Sequence, residues 1–157
     1  MFVLNSSKVK VYNSNNFGHH DSEADKIKSS SYQCISVYPK VKQDSTYKII
    51  ETVSSLVPID KVNIFEDNIE VIRLTFCNNY DEIPKTIELD EYNKVYTMNK
   101  GYISAGNLGG QDVLFDGEGR ICKIISKEKV KISGKFFEIK LKYGNNILVN
   151  DLVVLPK

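Results

Sequence analysis

The chain has 157 residues, of which 41% are hydrophobic and 26% charged. A chain of that length buries roughly 68–70% of its unfolded surface, so it needs neither disulfide staples nor a metal to fold, and its composition excludes bulk disorder. Lys and Arg number 21 against 20 Asp and Glu, and the resulting net charge of +1 gives no electrostatic footing for DNA, RNA or an anionic membrane.

No apolar run approaches the ~18 residues that a membrane helix requires. The apolar start, Met1 to Leu4, is short and has no basic segment before it, so no secretory signal is expected and a cytoplasmic or particle-bound chain is. Cys34, Cys77 and Cys122 show no CxxC spacing and the histidines, His19 and His20, are adjacent, so the pattern assembles no zinc site. No metal and no cofactor are expected.

Taken in chain order, residues 1–33 stand apart. They are rich in Ser, Asn, Lys and His, with Val9-Lys10-Val11-Tyr12 the sole periodic stretch, and read as a flexible or docking arm carrying at most one short strand. From Tyr32 the chain turns β-rich. Tyr47–Val53 has strand composition, although a short helix can be written there, and Asn68–Phe76 alternates apolar with polar residues. Short strands follow at Thr86–Leu89, Val95–Met98, Asp112–Phe115, Ile121–Ile125, Phe136–Leu141, Ile147–Val149 and Leu152–Leu155. Between them stand turn signals: Asn99-Lys100-Gly101, Asp116-Gly117-Glu118-Gly119, Gly144-Asn145-Asn146 and Asn150-Asp151. Many short strands and almost no helical window predict one all-β domain.

Several features invite a chemical reading and are outweighed by a plain one. The glycines at 106, 109 and 110 and at 117 and 119 lack phosphate-loop spacing and open no helix, so they are turn residues. The Lys127, Lys129, Lys131 and Lys135 run beside Phe136 and Phe137 suits single-stranded nucleic acid, but alternating lysines on the solvent face of a strand give the same letters. Cys34, leading Cys34-Ile35-Ser36-Val37, is a nucleophile only if a base lies beside it; Cys77 and Cys122 sit in apolar runs and read as core.

The segment from Thr86 to Leu155 resembles the second half of a Hint domain, the all-β horseshoe shared by inteins and Hedgehog autoprocessing domains. Ile87 to Thr97 is similar to the family's threonine-x-x-histidine segment. Asn99 to Leu108 matches its glycine-aromatic-x-x-alanine-x-x-leucine element, the most specific piece. Leu108 to Leu114 matches the following leucine-x-x-glycine-aspartate element, with Gln111 where glycine is usual. Phe136 to Leu141 and Asn145 to Pro156 resemble the terminal strands, which in active members end in histidine-asparagine. Taking Cys34 as the first residue, the resemblance predicts an arm at 1–33 and a Hint-like domain at 34–157.

The resemblance also implies a chemistry. In active members an N-terminal Cys or Ser attacks the carbonyl before it, a histidine protonates the leaving amide, and a terminal histidine assists asparagine cyclisation. By position Asn93 stands for the first histidine, Leu155 for the second and Pro156 for the asparagine. An amide is no general acid, and losing one typically removes a factor of ~10²–10⁴. The implied protein is a catalytically inactive Hint-like domain, a structural or protein-binding subunit of a larger assembly such as a phage or phage-tail-like particle. Its expected partner is a protein or a second copy, with no membrane and no small-molecule substrate. The alternatives are thiol-dependent self-cleavage at Cys34, releasing residues 1–33, and a nucleic-acid-binding β-barrel.

Overall fold

The computed structural model describes residues 1–13, 18–27, 32–44, 47–144 and 146–156; for 39–44 and 47–51 it describes strand and register alone. The described residues form no α-helix. They build one 12-stranded sheet. Its strands are β1 (Phe2–Val3), β2 (Lys8–Asn13), β3 (Gly18–Glu23), β4 (Tyr32–Asp44), β5 (Tyr47–Asn78) and β6 (Lys85–Leu89), then β7 (Lys94–Thr97), β8 (Gly101–Ser104), β9 (Val113–Phe115), β10 (Ile121–Leu141), β11 (Ile147–Val149) and β12 (Leu152–Val154).

The strands are not uniformly short. β5 runs 32 residues and absorbs both Tyr47–Val53 and Asn68–Phe76; β10 runs 21 and absorbs both Ile121–Ile125 and Phe136–Leu141. Their middles lack a long apolar run, which is why the sequence breaks there. They stay extended because they pair with each other, from Cys122 opposite Asn78 to Leu141 opposite Ile59. One face of this ribbon sets Glu66 opposite Lys135 and Glu70 opposite Lys131, and the other sets Phe65 opposite Phe136 and Val71 opposite Val130. Bulges at Ile124–Ser126 and Lys140–Leu141 bend it.

Every strand pairing is antiparallel, in the order β11-β12-β7-β9-β10-β1-β6-β5-β4-β2-β3, and a further contact of Val149 with Val9 joins β11 to β2, bringing one end of the sheet back towards the other. The main core fills the space enclosed, with Phe2, Val9, Leu74, Leu89, Leu114, Phe137 and Val154 fully buried.

The expected arm is corrected. Residues 1–13 and 18–27 are strands and turns of the same sheet: Phe2 sits opposite Phe137 and Leu89, and Val11 opposite Cys34. Phe2, Val9 and Val11 are fully buried. The stretch reads as an arm because β3 lies at an edge, pairing with β2 alone, and an edge ribbon buries few apolar side chains. The Ser29–Ser31 run and Asn145 lie outside the described residues.

Candidate functional site

Three distant pieces of chain meet at Asn93. β1 starts there, the loop from β6 into β7 carries it, and the chain leaves β12 beside it. The Met1 carbonyl accepts the Asp90 N–H at 2.9 Å. The Met1 α-amine donates to Asn93 Oδ1 at 2.5 Å. Asn93 Nδ2 reaches the Leu155 carbonyl at 3.4 Å, and the Leu155 N–H donates to the Lys94 carbonyl at 2.9 Å. Asn93 is held on its backbone as well, its N–H on Asp90 and its carbonyl accepting from Ala105 at 2.7 Å. The Asn93 side chain is therefore a buried amide with one end on the chain's first residue and the other on Leu155.

Burial lowers the pKa of the Met1 amine, against the opposing pull of Asp90 and Glu138. A cavity of about 480 Å³ lies on one side, lined by Asn63, Glu138, Ile139, Tyr143 and Pro156 among others. A second, of about 320 Å³, is lined by Tyr38, Tyr96, Tyr102, Asn146 and Leu155 among others. Leu155 faces one and Pro156 the other, and both cavities reach Gly144.

Asn93 and Leu155 are thus brought together, with Pro156 next in the chain. Cys34 is placed elsewhere. It is the third residue of β4, between Val11 and Val57 in the ladder, fully buried, and burial pushes its thiol up to about 12. Sequence reasoning missed Met1 and Glu138 as members of the site. The pairing of Phe2 with both β6 and β10 is what puts them there, and no local motif signals it.

The other singled-out residues take plain roles. Cys122 is buried, with its thiol pushed up to about 12 by burial first and Asp116 second; Cys77 is half-buried. His19 packs edge-on to Tyr12 and His20 edge-on to Tyr32, and the described residues hold no metal-sized group of three His, Cys, Asp or Glu. Lys127 donates to the Gly106 carbonyl, while Lys129 lies within 3.9 Å of Glu70 and Glu91, so the lysine face of β10 is interleaved with acids.

A scan against protein-family models finds no match, and a search of the curated proteins finds none. Solved structures do match. A bacterial intein-like domain from Clostridium thermocellum is 18% identical, with 99% of this chain and 97% of that chain covered at a TM-score of 0.62. An intein from a hyperthermophile is 10% identical, covering 99% and 98% at 0.66. The fold is that of an intein-like Hint domain. A DnaB intein from Synechocystis sp. PCC 6803 superposes over 97% of this chain and 99% of that one, at 12% identity and a TM-score of 0.56. The Hint fold therefore spans the chain from its first strand, and residues 1–33 are part of the match. As for membranes, no helix of the described residues is long and apolar enough to cross one.

Proposed function

We propose that this Hint-fold chain has no splicing or self-cleaving activity and serves as a structural or protein-binding subunit. The observation that carries the reading is the composition of the meeting point: Met1, Asn93, Leu155 and Pro156 stand together where active Hint domains need a thiol or hydroxyl, a histidine, and a histidine-asparagine pair. A thioether does not attack a carbonyl, an amide does not protonate a leaving nitrogen, and proline has no side-chain amide to cyclise.

Cleavage at Cys34 lacks comparable support. A thiol pushed up to about 12 in a fully buried strand holds almost no thiolate at neutral pH. The nucleic-acid reading is weakened by the acids set among the β10 lysines. The binding half of the proposal rests on the two cavities beside Leu155 and Pro156, whose four tyrosines are of the residue type that interfaces favour.

The test is the intact mass of freshly expressed chain, tagged at both ends, with and without excess thiol. One full-length mass in both conditions is expected. A fragment beginning at Cys34, increased by thiol and absent in Cys34→Ala, overturns the inactive reading. For the binding half, sedimentation of the uncleaved chain in native lysate should show a species heavier than the monomer. An inert monomer there counts against it.

A further inference from the structure

A third cavity, of about 400 Å³, opens where β3, the turn after β9 and the β11–β12 hairpin come together, and neither Met1, Asn93 nor Leu155 lines it. Its floor is apolar, because Ile35, Val37 and Leu148 belong to one buried cluster. Its walls are charged, with four carboxylates against three fixed cations.

Most of these charges are already matched. Lys10 and Lys85 both donate to Asp151, at 3.0 and 2.5 Å, and Arg120 pairs with Glu118. Asp116 and Asp21 take no ion-pair partner among the described residues. Asp116 is the telling one. It is 5% exposed. Its Oδ1 accepts the N–H groups of Glu118 at 2.9 Å and Arg120 at 3.0 Å, closing the turn, while Oδ2 accepts from no described residue. Ser7 Oγ is the one enclosed side-chain atom without a partner among the described residues, so Asp116 Oδ2 is not sealed from solvent and stands open to a donor from the cavity. Burial raises the Asp116 pKa against its two backbone donors and the opposing charge of Arg120.

We propose that this cavity binds a primary alkylammonium group, with an N–H donor on Asp116 Oδ2 and its methylene stem over Ile35, Val37 and Leu148. An ammonium supplies an N–H donor for Oδ2 and a direct ion-pair contact that neither Arg120 nor Lys85 makes with Asp116, and its hydrocarbon stem suits an apolar floor. Asp21, on the exposed strand β3, adds charge of the same sign at the rim. An anion is disfavoured because the two lysines that could meet it are engaged with Asp151.

The test is an NMR titration of the uniformly ¹⁵N-labelled full chain at constant ionic strength. n-Butylammonium chloride is added while the Glu118 and Arg120 amides are followed. Saturating shifts centred on these amides are expected, and Asp116→Asn, which keeps Oδ1 as the turn acceptor, should weaken binding about tenfold. n-Butanol, its uncharged isostere, should produce no saturating shift in the unaltered chain. Failure of butylammonium to saturate, equal affinity for butanol, or unchanged affinity in a folded Asp116→Asn overturns the proposal. A parallel arm with Nα-acetyl-lysine amide separates two sources of the group. Saturation there too assigns a lysine side chain of a protein partner, and saturation by butylammonium alone assigns a free amine.

Discussion

Two buried asparagines in this chain do opposite things. Asn146 is a knot. Its Oδ1 accepts from Ser36 Oγ at 2.9 Å and from the Val37 N–H at 2.8 Å, and its Nδ2 donates to the Val37 carbonyl and to Tyr102 Oη, both at 2.8 Å. Every polar site of the amide is used, and strands far apart in sequence are tied through it. Asn93 is a bridge with slack. Its Nδ2 reaches Leu155 at only 3.4 Å, and cavities open on two sides of the segment it holds. The two differ in the length and completeness of their bonds and not in the space beside them, since Asn146 itself lines the cavity at Leu155 while Asn93 lines neither cavity. Burial alone does not separate the two, since both residues are more than nine-tenths buried.

The comparison can be broken or sharpened by measurement. The largest effect is kinetic and concerns the interior. With its thiol at about 12 and no exposure, Cys34 should react with iodoacetamide at pH 8 roughly 1000-fold more slowly than an unfolded thiol, with half-buried Cys77 faster. Mass-mapped labelling at Cys34 without denaturant would place it outside the core.

Next comes the knot itself. Asn146→Ala strands the buried Val37 amide groups and Ser36, and should lower unfolding free energy by about 3 kcal/mol in urea titrations. Gly117→Ala should cost about 2 kcal/mol, because an added Cβ would lie 2.5 Å from Leu148 Cδ1 in a packed cluster. Asn93→Ala should cost about 1 kcal/mol, the value of a modest hydrogen bond. A loss as large as that of Asn146→Ala would erase the distinction between knot and bridge.

The smallest effect appears in acid. Asp112 is held below the usual carboxylate range by the Gly109 N–H first and then by Lys100 and Asn99. Asp151 is held below it by Lys85 and Lys10, which overcome the opposing effect of burial. Carboxyls lowered by folding contribute stability above their usual value of 3.8, and that contribution is lost as pH falls through the lowered folded value. Asp116, raised by burial, works in the opposite direction. Urea midpoints from pH 7 down to pH 2 should therefore fall for the unaltered chain. In Asp112→Asn they should start lower and fall less, the two curves converging in acid; parallel curves would remove Asp112 from the account.

Much of the fold was legible because β structure writes itself locally. Alternation at Phe136–Leu141, the Asn150-Asp151 turn and the Gly101 turn each needs only neighbours in sequence. In the structure Asn150 and Asp151 have φ of +49° and +67°, and Gly101 has +72°, as tight turns require. The middles of β5 and β10 were not legible, because what keeps Glu66 or Lys131 extended is a partner more than sixty residues away.

Residue chemistry by itself determined that the domain is all-β and that its later half resembles the Hint pattern, and it singled out Asn93, Leu155 and Pro156 as candidate positions. Only the tertiary structure decided where the domain begins and which residue faces Asn93. A first residue has no periodicity to read, and a polar edge strand looks like a loose arm until its ladder is known. The pairing of Phe2 with Phe137 and Leu89 places Met1, not Cys34, at Asn93. That contact spans 92 residues, and such a contact is set by how the sheet closes rather than by any local run of side chains.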